Sequence, residues 1–169
     1  MIYILWSVLN AALLVYFFYL LIGFIVNGRD VFLGKFRPVS IVVITLGVIQ
    51  IGTAGIPEKK KDEILLLKDY NQENPVGFKS MVLEENSAFD ILLTVTYYEN
   101  DGELILIKSN SHLIGSILGF EWNFYNFNTI KTLEKNTSDY IVDGGLEWHL
   151  FGFHIFTQDK QFTGKLKIL

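Results

Sequence analysis

Glu147 and His149 stand two residues apart in the run Gly145-Leu-Glu-Trp-His-Leu-Phe-Gly-Phe153. On an extended strand that spacing places a carboxylate and an imidazole on one face, about 7 Å apart along the backbone. Together they are half of a metal centre or an acid–base couple. A similar run lies 26 residues upstream, Gly119-Phe-Glu-Trp-Asn-Phe-Tyr-Asn-Phe127. Gly, Glu, Trp and the final Phe recur, but Asn123 stands where the second copy has His149. The repeat therefore does not carry the imidazole, and no metal ligand is expected from it. His154 is five residues beyond His149 and faces the opposite side of a regular strand, unless a bulge at Gly152 brings it round.

Other chemistries fare no better. Ser111 adjoins His112, but neighbours on a strand face opposite ways, and no Gly-x-Ser-x-Gly elbow occurs. The acidic residues are scattered without an obvious acid–base pair. Gly115 to Gly119 is not followed by the Lys-Ser/Thr of a phosphate loop. Asn136-Thr137-Ser138 matches a glycosylation pattern and reads as a surface turn. There is no cysteine, which excludes disulfides, zinc thiolates, iron–sulfur clusters and dicopper thiolate centres. No catalytic residue and no cofactor is expected.

The elements around these residues are easier to read. Met1 to Val26 and Val39 to Ile56 carry no charged side chain. A link with Arg29, Asp30, Lys35 and Arg37 separates them. A hydrocarbon core about 30 Å thick needs roughly 20 residues of helix. The pattern predicts a transmembrane helical hairpin over 1–56, with helices at about 1–26 and 39–56. A signal peptide would want a positive start and a small-residue cleavage site, and neither is present. Tyr3 and Trp6 suit an interfacial aromatic belt. Asn10 needs a polar partner: antiparallel helices would bring it to the depth of Thr53 and Gly55, or it meets headgroups or water near the membrane edge. Gly47, Gly52, Ala54 and Gly55 favour close helix approach, and Thr45, Gln50 and Thr53 add polar handles. Lys and Arg counts around the two helices point opposite ways. Giving the first helix precedence places the tail on the extracytoplasmic or intermembrane-space side.

Residues 57–63 form a charged juxtamembrane collar in which Lys59 to Lys61 stop the helix at the interface. The tail from Pro57 carries 11 lysines, no arginine and 17 acidic residues, a net charge of −6, which disfavours nucleic acid. From residue 64 onward a period of two takes over. Phe89 to Tyr98 alternates apolar odd positions with Asp90, Thr94 and Thr96. Glu99 to Gly102 is a turn, and Leu104 to Ile107 returns, so a hairpin is expected. Weaker strands fit 64–67, 76–83, 129–133 and 165–169. The prediction for 64–169 is an all-β domain, a β-sandwich or small barrel. Phe120, Trp122 and Phe124 share one face, Leu146, Trp148 and Leu150 another, and both faces should centre the core. The opposite faces, with Tyr125, Phe127, Phe151 and Phe153, are apolar as well. A strand apolar on both sides needs cover on both sides.

The layout of a two-helix hairpin followed by a β domain resembles subunit II of respiratory haem–copper oxidases. Gly119-Phe-Glu-Trp-Asn-Phe124 is similar to the Gly-x-Gln-Trp-x-Trp stretch of that family. The resemblance implies a subunit of a respiratory membrane complex. The chain departs from it in lacking the copper-ligand cysteines and the Glu-Trp-Thr signal of the second helix, so no dicopper role carries over. The expectation is a non-catalytic integral membrane protein, an accessory or structural subunit docking through Asn10, Gln50, Thr53, Trp122, Tyr125, Phe127, Trp148, Phe151 and Phe153. Its partners would be the lipid bilayer and other membrane-protein subunits or a homo-oligomer. The alternatives are a membrane-proximal small-ligand or lipid-binding β module, and a membrane-bound enzyme or metal protein using Glu147 and His149.

Overall fold

The structure, a computed structural model, describes residues 1–32, 37–53, 63–66, 76–100, 103–116, 118–131 and 137–167. Collar residues 57–62, Gly55 and Asn136 of the sequon lie outside the described residues, while Glu63, the last of the collar, opens the first strand. Two helices come first, α1 (Ile2–Asn27) and α2 (Arg37–Thr53), with a short 3-10 turn at Gly28–Phe32. Seven strands follow: β1 (Glu63–Leu65), β2 (Val76–Glu85), β3 (Phe89–Asn100), β4 (Glu103–Gly115), β5 (Phe120–Lys131), β6 (Thr137–Leu150) and β7 (Phe153–Lys167). They form two antiparallel sheets, ordered β1-β4-β3-β2 and β5-β6-β7.

By length and composition α1 can cross a bilayer; α2 is apolar and shorter, with 17 described residues. The helices meet through Phe17, Leu20 and Val43, which are buried together. Gly47 permits this approach, because a Cβ there would fall 2.2 Å from the Phe17 ring. Tyr16 and Ser40 add a hydroxyl–hydroxyl hydrogen bond of 2.7 Å.

The β domain is two sheets packed face to face. Leu93 and Val95 of β3 bury against Phe124 and Phe127 of β5, Val142 of β6 and Leu166 of β7. The predicted alternation of β3 holds, with Phe89, Ile91, Leu93 and Val95 all buried. β3 pairs with β4 as far as Asn100 and Glu103, which is the expected hairpin. Phe120, Trp122 and Phe124 are core residues, as their shared face predicts. A hydrogen bond crosses the core: Trp122 Nε1 donates to Ser111 Oγ on β4 at 2.9 Å, and that hydroxyl donates to Leu92 O at 2.8 Å. At the sandwich edge Lys160 of β7 reaches Glu84 Oε2 of β2 at 2.5 Å and lies 3.4 Å from the Tyr3 hydroxyl.

Three placements differ from expectation for local reasons. Alternation predicts Phe127 on the outer face with Tyr125, yet it is 2% exposed. The register between β5 and β6 shifts at Tyr125, between Phe124 and Asn126. That bulge inserts one residue and turns Phe127 inward. The sequence predicts Phe151 and Phe153 on one continuous strand with Glu147 and His149. The strand instead ends at Leu150, and a tight turn at Phe151 and Gly152, with φ of 52° and 85°, sends β7 back along β6. The segment 129–133 is likewise no separate strand, since β5 runs on to Lys131.

Candidate functional site

The helices meet the sandwich where β5 begins and where β6 turns into β7. Turns expose backbone groups that the sheet ladder no longer satisfies. Here α1 supplies the partners. Trp6 Nε1 donates to His149 O at 3.0 Å, and Ser7 Oγ donates to Leu118 O at 3.2 Å. Asn10 Oδ1 accepts the N–H of Phe151 at 2.7 Å, while its Nδ2 donates to Trp6 O at 3.1 Å. From α2, Gln50 Nε2 donates to Gly152 O at 3.4 Å. Tyr3, Ser7, Asn10 and Phe17 recur at three, four or seven residues, so the α1 side of the contact is one stripe.

Aromatic rings fill the space between these bonds. The Trp148 ring lies 4.9 Å from Phe120, 5.4 Å from Tyr3 and 5.5 Å from Trp6, measured between centroids. Phe89 closes the group at 5.1 Å from Tyr3. Tyr3 and Trp6, expected at a headgroup belt, are thus packed on the β domain. Lower along α1, Phe151 sets its ring edge-on against Phe17 at 5.5 Å. Gly119 sits where Asn10 passes, with φ of 84°, and a Cβ there would lie 2.4 Å from Asn10 Nδ2.

A cavity of about 490 Å³ opens beside this contact. Leu14, Phe17, Phe18, Ile51 and Phe120 give it apolar walls, and Asn10, Gln50, Glu121 and His149 are its polar groups. Glu121 and Glu147 are directly opposed in the β5–β6 ladder. His149 Nε2 lies 3.1 Å from Glu147 Oε2 and 3.8 Å from Glu121 Oε2. One donor atom from each of the three residues falls within 4.8 Å of the others. Asn123 Nδ2 donates to Glu147 Oε1 at 2.6 Å, and His149 Nδ1 lies 3.5 Å from Gly152 O. The tight turn makes His154 the cross-strand partner of His149, with ring centroids 5.6 Å apart. His154 Nε2 is 2.8 Å from Thr157 Oγ1. On the same outer face the Tyr125 hydroxyl has its pKa raised above the usual tyrosine value, by burial first and then by the carboxylates of Asp159 and Glu147.

The junction gathers Asn10, Gln50, Trp148 and Phe151 from the sequence-predicted set. Asn10 finds its partners in Trp6 and the Phe151 backbone, because the β6–β7 turn reaches the helix pair at that depth. The Thr53 side chain and Gly55 lie outside the described residues. Trp122 and Phe127 are core residues, Tyr125 is 53% exposed on the outer face, and Phe153 is half-buried at the start of β7. Ser7 and Glu121 are junction residues that sequence reasoning passed over. The signal for Ser7 was its position three residues before Asn10 on an otherwise apolar helix. For Glu121 it was the repeat itself, since two copies in neighbouring strands bring their matched glutamates together.

No family model matches the chain, and no curated protein matches it. Among solved structures it is similar to a two-domain protein of unknown function from Bacteroides thetaiotaomicron VPI-5482. The match has 18% identity and a TM-score of 0.42, over 53% of this chain and 47% of that one. The chain therefore spans about half the length of that protein.

Proposed function

We propose that this chain is a non-catalytic integral membrane protein, an accessory or structural subunit of a larger membrane complex. Its helix pair sits in the bilayer and holds a β-sandwich at the membrane surface. The observation that carries the reading is the bare surface of the helices. Only 17% of the most apolar stretch of α1 is buried by the rest of the chain. Leu5, Val15, Tyr19, Ile22 and Ile25 of α1, and Val42, Val48 and Ile51 of α2, are exposed. A core helix of a water-soluble protein would have most of these covered. Apolar surface on this scale needs lipid or protein around it. The junction fixes the sandwich to the open end of the helix pair, so the domain is presented in one orientation, as a docking subunit requires. Native mass spectrometry from mild detergent tests the reading. A defined assembly with other membrane subunits or with further copies of this chain is expected, and a free monomer at every detergent concentration would contradict it.

The cavity at the junction favours a second reading, a membrane-proximal module for a small ligand or lipid. Its size and its apolar walls with a few convergent polar groups are those of a ligand site. Lipid that co-purifies with the chain and is lost on a Gln50→Leu or Leu14→Trp substitution would support this reading over the first.

A further inference from the structure

We propose that Glu121, Glu147 and His149 bind one divalent first-row transition-metal ion at the edge of the junction cavity. The site goes beyond the membrane reading and does not depend on it. Two carboxylate oxygens and an imidazole nitrogen on neighbouring strands are an oxygen–nitrogen donor set suited to zinc, manganese or iron. Such ions lie about 2.0–2.2 Å from each donor, which asks the donors to sit roughly 3–3.6 Å apart. Nε2 already stands 3.1 Å from Glu147 Oε2 and 3.8 Å from Glu121 Oε2, and all three donors lie within 4.8 Å of one another, so Glu121 must move inward to close the site.

Electrostatics point the same way. Glu121 and Glu147 are paired across the ladder, where like charges repel. Their side chains are 25% and 23% exposed and that of His149 is 19% exposed, so water screens them only in part. A divalent ion between the two strands sits favourably beside both carboxylates. The outer groups are also in place. Asn123 holds the second oxygen of Glu147, and the Gly152 carbonyl lies beside Nδ1, which leaves Nε2 as the metal-facing nitrogen. Metal binding replaces the 3.1 Å Nε2–Glu147 contact with bonds from both groups to the ion. Glu121 and His149 both line the cavity, so the remaining coordination positions open toward it.

The test is a Zn²⁺ titration of the full chain in detergent by calorimetry, with Mg²⁺ as the hard-ion control. One equivalent of Zn²⁺ is expected to bind, and Mg²⁺ not. Glu121→Gln, Glu147→Gln and His149→Ala should each weaken binding at least tenfold. Asn123→Ala should weaken it about tenfold, and His112→Ala should leave it unchanged. Near-UV circular dichroism of the aromatic cluster reports whether each variant is folded. A readout on the unaltered chain stands beside these. Of its three histidine side-chain NMR signals, that of His149 should shift with one equivalent of Zn²⁺ while that of His112 stays in place. Zn²⁺ binding no tighter than in a folded variant carrying Glu121→Gln, Glu147→Gln and His149→Ala together, or an unmoved His149 signal, would overturn the proposal.

Discussion

Replacing Asn10 with leucine isolates the junction. The side chain is 4% exposed and similar in size to leucine, so packing volume is nearly kept. What is lost is the acceptor for the Phe151 N–H at 2.7 Å. A buried amide left without a partner costs about 1–3 kcal/mol. That corresponds to a roughly 5- to 150-fold larger population of the undocked junction. Hydrogen exchange on the full chain in detergent or nanodiscs reads this directly. The amide of Phe151 should exchange faster by that factor, while the amides of Ile91 and Leu93 in the sandwich core keep their protection. Leucine makes α1 still more apolar, so loss of the protein from the membrane would not explain the effect. Unchanged exchange at Phe151 would refute the claim that this helix holds the turn.

Three further outcomes follow from single contacts. Trp122→Phe removes the indole donor to Ser111 Oγ and shrinks a buried ring, and should lower the denaturation free energy by about 1–3 kcal/mol, read from the urea midpoint. Lys160 and Glu84, half-buried and 2.5 Å apart, should show a coupling energy of about 0.5–3 kcal/mol in a cycle of Lys160→Met and Glu84→Gln; thermal melts of the four proteins give it, and simple additivity would contradict the contact. Burial raises the Tyr140 pKa above its ordinary value, so the folded state holds that proton more tightly than the unfolded state. The associated stability is present below about pH 10 and is lost as pH rises through the folded pKa; the alkaline unfolding curve should flatten in Tyr140→Phe, and an identical curve would contradict the shift.

The elements legible in the sequence were those written in a regular period. Uncharged runs gave the two helices to within a few residues at the described ends, and strict alternation gave β3 and the inner face of β5. Irregular backbone broke the rest. The bulge at Tyr125 carries no glycine or proline to announce it, yet it turns Phe127 inward. The turn after Leu150 uses phenylalanine in a left-handed conformation beside Gly152, where Asn-Gly or Asp-Gly would be readable, so β6 and β7 looked like one strand. Most of β7 was missed because its sequence from Gln158 to Gln161 is polar, which an edge strand with one partner tolerates. The Glu121–Glu147–His149 cluster depends on register between strands. Comparing the repeats position by position argued against a metal site, whereas pairing them side by side assembles three donors.

The central claim is that residues of α1 and α2 are solvated by lipid while the sandwich rides on their open end. Flotation of the full chain with lipid vesicles on a density gradient, after an alkaline carbonate wash, tests it most directly. The account predicts that the chain rises with the vesicles and resists the wash. A chain left in the aqueous fraction as a monodisperse species without detergent would contradict it.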